Sequence, residues 1–422
     1  MKKLFLLALI FNFQFSIFNS LHAQIVYEDN VRYTLYDGDH FSVTWRASNE
    51  ISKINIPDSL EYEGKNYPVT EIQDHTFREM GQLTEVTVGN NVRTIGKHAF
   101  EVCTLLRSVT LGNNVTTIGE KAFHGCQMLR SITLGNSVES IGKSAFNECI
   151  TLTSIDIPNT CRSIGERAFY SCGLQSITLG NSLQTLGDEA FNDCHYLTSI
   201  DIPNTCKSIG EGAFEVCSSL TSVTLPDSLQ TLGEFSFRNC YALTSIKIPN
   251  TIKSIGKGMF SFCKSLTQVT FSDSVKSIGD YAFIDCTSLT SINLGKAVET
   301  IGVEAFRGCP LETVIIPNTI QSVGKDAFTK CPENLTLSIP YDTRILFVNA
   351  GLSPSQLVER NPVEQDVNND GHINSGDVVS IYNYIIDPEK TGIHPFRADT
   401  NLDGAVNSGD VVDIYNAIIN GK

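Results

Sequence analysis

Apolar positions recur along most of this chain with a period of 23 residues. That period is too long for one helix face or one strand, and internal repetition at this length is the mark of a stacked architecture. "LRSVTLGNNVTTIGEKAFHGCQM" from Leu106 is followed by "LRSITLGNSVESIGKSAFNECIT" from Leu129. One Phe keeps phase at Phe77, Phe100, Phe123, Phe146, Phe169, Phe191, Phe214, Phe237, Phe260, Phe283, Phe306 and Phe328. The two steps of 22 residues coincide with single deletions at "SCGLQS" and "GCPLET".

Within a unit, Leu106, Val109 and Leu111 alternate with Ser108 and Thr110, which predicts a short strand with one apolar and one polar face. "GNN", "GNS", "IPNT" or "LPDS" predicts a turn. An aliphatic residue follows, for example Val115 or Val138, and then "IG", where Gly96, Gly119 and Gly142 are expected at a tight corner that needs glycine's backbone freedom. "EKAFHGC" is expected to close the coil as a short helical segment with Phe and Cys inward. No unit can bury its apolar edge alone, so the fold class predicted is a repeat solenoid with one short strand and one short helical segment per 22–23-residue coil. Strands about 4.8 Å apart would make twelve coils a rod or arc of roughly 60 Å.

The flanks break the pattern. Residues 1–23, "MKKLFLLALIFNFQFSIFNSLHA", carry Lys2 and Lys3, then the apolar run Leu4–Ile10 and a small residue, Ala23, which predicts a signal peptide cleaved there. Asn12, Gln14 and Asn19 interrupt the run, which argues against a membrane span, and no Cys marks a lipid anchor. Residues 24–70 alternate apolar and polar around Asp-Gly and Gly-Lys turns and are expected to be β-hairpins capping the open end of a solenoid at 71–350. "LTLSIPYDTRILFVNAGL" would cap the other end, and 351–365, with two Pro, reads as a linker.

Residues 366–422 hold a different repeat. "DVNNDGHINSGDVVSIYNYIID" and "DTNLDGAVNSGDVVDIYNAIIN" are spaced by 33 residues. In the first, Asp366, Asn368, Asp370, Asn374 and Asp377 fall at loop positions 1, 3, 5, 9 and 12, Gly371 at the sharp turn, and His372 would ligate through its carbonyl. The second repeats this with Asp399, Asn401, Asp403, the Ala405 carbonyl, Asn407 and Asp410, around Gly404. Many hard oxygen donors on a flexible turn suit calcium, one ion per loop. Each loop runs straight into an amphipathic helix, with Val378, Ile381, Tyr382 and Ile385 on one and Val411, Ile414, Tyr415 and Ile418 on the other.

The remaining chemistry narrows the function. The net charge is −15, which disfavours nucleic acid and anionic lipid as partners. Eleven of the thirteen Cys sit three residues after the repeat Phe, so they would form an interior ladder with parallel Cβ vectors, unsuited to disulfides. Cys161 and Cys206 fall in an aliphatic slot and are expected to act as small hydrophobes. The outward strand positions form hydroxyl rows such as Thr110, Thr133 and Thr178, broken by Asp156, Asp201 and Lys247. They offer an extended binding face or merely solvated strands. The histidines appear scattered, and no nucleophile elbow or phosphate loop occurs, so no enzyme is expected. A β-helix polysaccharide lyase would need clustered Asp, Arg or Lys on one face, which is not found.

The pattern "LxxIxLxxxVxxIGxxAFxxCxx" over residues 70 to 345 resembles the BspA-type leucine-rich repeat of bacterial surface proteins. That resemblance implies adhesion to a protein or cell-surface ligand. The two loop–helix units resemble a type I dockerin, with Asp in place of Glu at position 12 and no helix before either loop. This second resemblance implies that two calcium ions fold the module and that its helices plug into a cohesin-type protein. Its partner-selecting positions carry over to Ser375, Gly376, Tyr382 and Asn383, and to Ser408, Gly409, Tyr415 and Asn416. The expectation is an exported, monomeric, non-enzymatic interaction protein, secreted or on the cell surface. Its rival is an accessory component of an extracellular polysaccharide-degrading complex.

Overall fold

The computed structural model describes residues 24–46, 50–360 and 378–379. Every repeat is one coil of a solenoid of about thirteen turns. Stacking gives each coil three hydrogen-bonded sides. The first is a parallel ladder of short strands, here called the front: Lys53–Ile56, Glu85–Val88, Ser108–Thr110, Ser131–Thr133 and their successors, in register residue for residue. The second is a parallel ladder of two-residue strands at the "TI" or "SI" before each repeat glycine, here called the back: Thr94–Ile95, Thr117–Ile118, Ser140–Ile141 and onward. The sequence reading expected only a corner there, because two residues are too few to show alternation.

The third side corrects the expected helical segment. The residues around each Phe are successive turns, not helix. The positions two before and two after each Phe have positive φ: His75 and Glu79, Arg167 and Ser171, Tyr281 and Asp285. These left-handed residues turn alternate N–H groups out of the coil and toward the next one. Phe77 N–H donates to the Ala99 carbonyl at 2.7 Å, and the same bond recurs at every following Phe up to Phe306, which donates to Ala327. A helix would spend those donors within its own turn.

The glycine expectation is corrected too. At Gly119 the backbone is not left-handed; a Cβ there would lie 2.7 Å from the Gly96 carbonyl carbon and 2.8 Å from the Ile95 oxygen. Glycine is required because consecutive coils touch backbone to backbone.

Leu106, Val109, Leu111, Val115, Ile118, Ala122, Phe123 and Cys126 fill the interior of one coil, and the other coils repeat that set. The twelve rings stack with centroids 5.2 Å apart at Phe77–Phe100 and 5.6 Å at Phe191–Phe214. All thirteen cysteines are thiols, twelve of them buried. The eleven in phase do more than fill space. Each donates from Sγ to the carbonyl of a Phe in the preceding coil, as Cys103 to Phe77 at 3.1 Å and Cys263 to Phe237 at 3.1 Å. Valine could not give that carbonyl a second donor.

At the N-terminal end, Gln24–Glu28, Val31–Tyr36 and His40–Arg46 form an antiparallel meander, and Ser59–Tyr62 with Lys65–Ile72 a hairpin. His40–Arg46 runs parallel to Lys65–Ile72, which starts the back ladder at Thr94–Ile95. Val31, Tyr33, Phe41 and Val43 thereby cover the first coil. At the other end the last coil holds an α-helix, Arg344–Asn349, whose Phe347 is buried. Part of the stretch read as a linker belongs to this coil. Leu357–Glu359 pairs with Thr336–Ile339, and Arg360 Nη2 reaches the Ile316 carbonyl at 2.7 Å. Two prolines suggested a linker, yet one of them, Pro354, starts a 3-10 turn capped by Ser353.

Two predictions follow from this core. Phe191→Ala removes a fully buried ring and should cost about 3–5 kcal/mol, whereas Thr178→Ala, on an exposed front position, should stay within about 0.5 kcal/mol in denaturant melts. Burial pushes the Cys161 thiol up from 9.0 to about 11 and Cys331 to about 12, and raises Cys206 and the ladder thiols Cys126, Cys194 and Cys240 as well. The unfolded thiols ionise first as pH rises, while the folded ones keep their protons. Stability should therefore be intact below pH 9 and fall from there through 11 to 12, by about 1.4 kcal/mol per pH unit for each thiol. Replacing Cys161 and Cys206 together by Val should leave the neutral midpoint nearly unchanged and make the alkaline decline shallower.

Candidate functional site

The front ladder sets the largest regular surface. Ser131, Thr133, Ser154, Asp156, Ser176 and Thr178 are all exposed on it. The ladder is interrupted, however. Strands pair as Ser154–Asp156 with Ser176–Thr178, Ser199–Asp201 with Ser222–Thr224, and Ser245–Lys247 with Gln268–Thr270. No ladder joins one such pair to the next. Each pair begins at a coil whose outward residue is Asp156, Asp201 or Lys247 and whose turn is "IPNT". The Thr of that turn stitches coils together: Thr160 Oγ1 donates to the Asn136 and Val138 carbonyls at 2.9 and 2.8 Å. A cleft of about 270 Å³ opens at another interruption, between Thr267–Phe271 and Ser291–Asn293.

Two histidines that looked scattered are in phase. His75 and His98 each precede a repeat Phe by two and stack at 4.6 Å. The buried Glu101 carboxylate lies 3.1 Å from His98 Nδ1 and 2.7 Å from Arg78 Nε. This is a charge network inside one turn edge. Among the described residues, no group of three His, Cys, Asp or Glu is placed to hold a metal ion.

The cap carries a surface that sequence reasoning missed. Strand register places Tyr27, Arg32 and Trp45 in one cross-strand row on the outer face of the meander. Tyr27 is 60% and Trp45 50% exposed, and Ile25 lies beside them at 46%. Arg32 Nε is held by Thr44 Oγ1 at 3.0 Å. Near the Asp29–Asn30 end of the meander is an open polar cleft of about 810 Å³, also lined by Lys53, Asn55, Glu85 and Thr87. Exposed Trp, Tyr and Arg are the residue types that dominate binding energy at protein interfaces. Alternation gave the strands, and Trp45 is the only Trp of the chain. Which strand face is outward follows only from the other face covering the first coil.

All the sequence-predicted ligands and partner positions, Asp366 to Asp377, Tyr382, Asn383 and Asp399 to Asn416, lie outside the described residues. Within that stretch only Val378 and Val379 are described, and both are helical.

Compared with known families, residues 70–198, 184–309 and 257–350 match the BspA type leucine rich repeat region in six copies. The chain belongs to the BspA type leucine rich repeat family. Residues 364–419 match the dockerin type I domain. Among solved structures, a leucine-rich repeat protein from Bacteroides ovatus is 28% identical, with 80% of this chain and 100% of that one covered and a TM-score of 0.56. A leucine rich cell surface protein from Faecalibacterium prausnitzii is 27% identical, with 78% and 97% covered and a TM-score of 0.52. The pneumococcal vaccine antigen PcpA shares the fold at 18% identity and a TM-score of 0.50, over 80% and 99% of the two chains. No curated protein matches the chain. Both matched families are non-catalytic interaction modules, and dockerin type I domains bind calcium. No helix among the described residues is long and apolar enough to cross a membrane.

The single Trp makes the cap surface of this BspA-type solenoid measurable. Folded protein should show Trp fluorescence readily quenched by acrylamide, and Trp45→Ala should shift the denaturant midpoint by no more than about 1 kcal/mol equivalent. A blue-shifted, unquenched emission would show the row to be covered.

Proposed function

We propose that this chain is an exported adaptor: its solenoid binds a protein or cell-surface ligand, and its calcium-loaded tail fixes it to a cohesin-type partner. The observation that carries this reading is the joining of a leucine-rich repeat rod to a dockerin type I module in one chain. A rod of identical coils offers a long, repetitive surface, which suits recognition better than catalysis, since catalysis needs a few unlike groups converging.

The tail's donor set fits calcium. Asp366, Asn368, Asp370, Asn374 and Asp377 bring three carboxylates to one loop, and Asp399, Asn401, Asp403, Asn407 and Asp410 three to the other. Without a cation, three carboxylates on one turn repel each other; a calcium ion with six to eight oxygen ligands removes that cost. The His372 and Ala405 carbonyls supply the position-7 ligands. Ser375, Gly376, Tyr382 and Asn383, with their counterparts Ser408, Gly409, Tyr415 and Asn416, then face the partner. The near-identity of the halves lets either present the same face. The leader at 1–23 delivers the chain outside the cytoplasm.

Calorimetry on the full chain tests this. Two calcium ions should bind; Asp366→Ala with Asp370→Ala should leave one, and Asp399→Ala with Asp403→Ala should leave the other. Neither double variant should move the denaturant melt of the solenoid. Binding of an immobilised cohesin should vanish in chelator. A full chain that takes up no calcium at millimolar concentration would sink the adaptor reading.

A further inference from the structure

The coil junction between Thr231–Leu232 and Ser254–Ile255 differs from the others. The back ladder is continuous from Lys65–Ile72 to Thr231–Leu232, and again from Ser254–Ile255 to Ser322–Val323, but these two runs do not pair. At neighbouring junctions Gln230 N–H donates to Lys207 and Lys276 N–H to Lys253, each at 2.8 Å. Gly233 N–H reaches Ile209 at 3.0 Å and Gly279 N–H reaches Ile255 at 2.8 Å. The equivalent donors here, Lys253 and Gly256, make no bond to the coil before them. The front ladder is interrupted between the same two coils, Ser222–Thr224 and Ser245–Lys247. There the Thr244 N–H to Thr221 carbonyl contact is 3.5 Å, as at the front interruption before Ser199–Asp201, where Thr198 to Gln175 is 3.4 Å, against 2.9 Å for Thr221 to Thr198 and for Thr267 to Thr244 within paired strands. Among the described repeat coils, front and back ladders break together only here.

Spacing says the same. A Cβ on Gly233 would meet the preceding backbone at 2.4 Å and one on Gly279 at 2.8 Å, but one on Gly256 would meet nothing nearer than 3.4 Å. The coil bearing Gly256 has lifted off its neighbour. The residue before the repeat Phe differs here. It is Ala in nine coils (Ala99, Ala122, Ala145, Ala168, Ala190, Ala213, Ala282, Ala305 and Ala327), Thr76 in the first coil and Ser236 in the coil just before this junction, but the much larger Met259 in this one. Met259 is fully buried, and its Cε lies 3.4 Å from where a Gly256 Cβ would sit. Three extra heavy atoms in a slot shaped for a methyl group must displace something, and close-packed interiors do not absorb them freely.

The turn side stays closed. Phe235 N–H donates to Lys257 at 2.9 Å, Phe237 N–H to Met259 at 3.0 Å and Asn239 N–H to Ser261 at 2.9 Å. The Phe235 ring also takes Arg238 from its own coil at 4.8 Å and Lys257 from the next at 5.9 Å. Between the front and back strands, one side-chain bond, from the Thr251 hydroxyl to the Leu229 carbonyl, still spans the junction.

We propose that Met259 wedges this junction into a hinge, with the turn ladder as its axis and the two sheets as the sides that open. A solenoid's stability is a sum of coil terms and nearest-neighbour terms, so the weakest junction opens first. The stacks before and after it, residues 24–244 and 245–360, then bend relative to each other, which changes the curvature of the face presented to a ligand.

Amide hydrogen exchange on the full chain tests this with an internal control, because Lys253-Ser254-Ile255-Gly256 and Lys276-Ser277-Ile278-Gly279 have the same sequence. The Lys253 and Gly256 amides, which lack the inter-coil bond, should exchange at least about tenfold faster than those of Lys276 and Gly279, which have it. Met259→Ala, which restores the residue of nine other coils, should remove most of that difference. Ala282→Met should carry fast exchange to Lys276 and Gly279. Equal protection of the two segments in the unaltered chain would overturn the hinge. Fast exchange that survives Met259→Ala would overturn the wedge, and so would a protected Gly279 in Ala282→Met.

Discussion

Backbone hydrogen bonding between coils is the constraint from which the rest of this structure follows. Each coil spends its N–H groups on the carbonyls of a neighbouring coil along three sides, so every coil must repeat the outline of the one beneath it. Identical outlines bring identical side chains into register. That is why twelve Phe rings stack at about 5.2 to 5.6 Å with nearly parallel planes. It is also why glycine stands where backbones touch, and why a thiol can meet the carbonyl of a Phe one coil away. The left-handed residues flanking each Phe carry a conformational cost of about 1–2 kcal/mol each when they bear a side chain. They are retained because only that geometry turns the donors outward to the next coil.

A lattice this regular gives its irregularities meaning. Asp156, Asp201 and Lys247 stand where threonine is the rule, and each marks an interruption of the front ladder. Met259 stands where alanine is the rule, and the back ladder parts beside it. At the N-terminal end the lattice is closed by an antiparallel meander, and the aromatic row Tyr27, Arg32 and Trp45 lies on the face the lattice does not use.

The two parts of the chain rest on different physics. The solenoid is held by burial: its interior is apolar apart from thiols, a few hydroxyls that find carbonyl partners, and the Glu101 and Asn192 side chains. The tail is short and acid-rich, too small to build a large core, and its family binds calcium.

The amino-acid sequence by itself determined the period, the solenoid, the identity of the inward residues, the thiol state of the cysteines and the β cap. All of these depend on one-dimensional phase, and burial follows phase when coils must stack. For the tail, whose loops lie outside the described residues, it names candidate oxygen donors by residue type at fixed spacing. Tertiary structure decided the rest. The helical segment became a turn ladder because the partners of its N–H groups are 20 or more residues away. The glycines proved to be places of close approach, which only a neighbouring coil can create. The back ladder, the last strand inside the supposed linker and the outward face of the cap were all set by which surface had a neighbour to pack against. No local pattern in the chain encodes that choice.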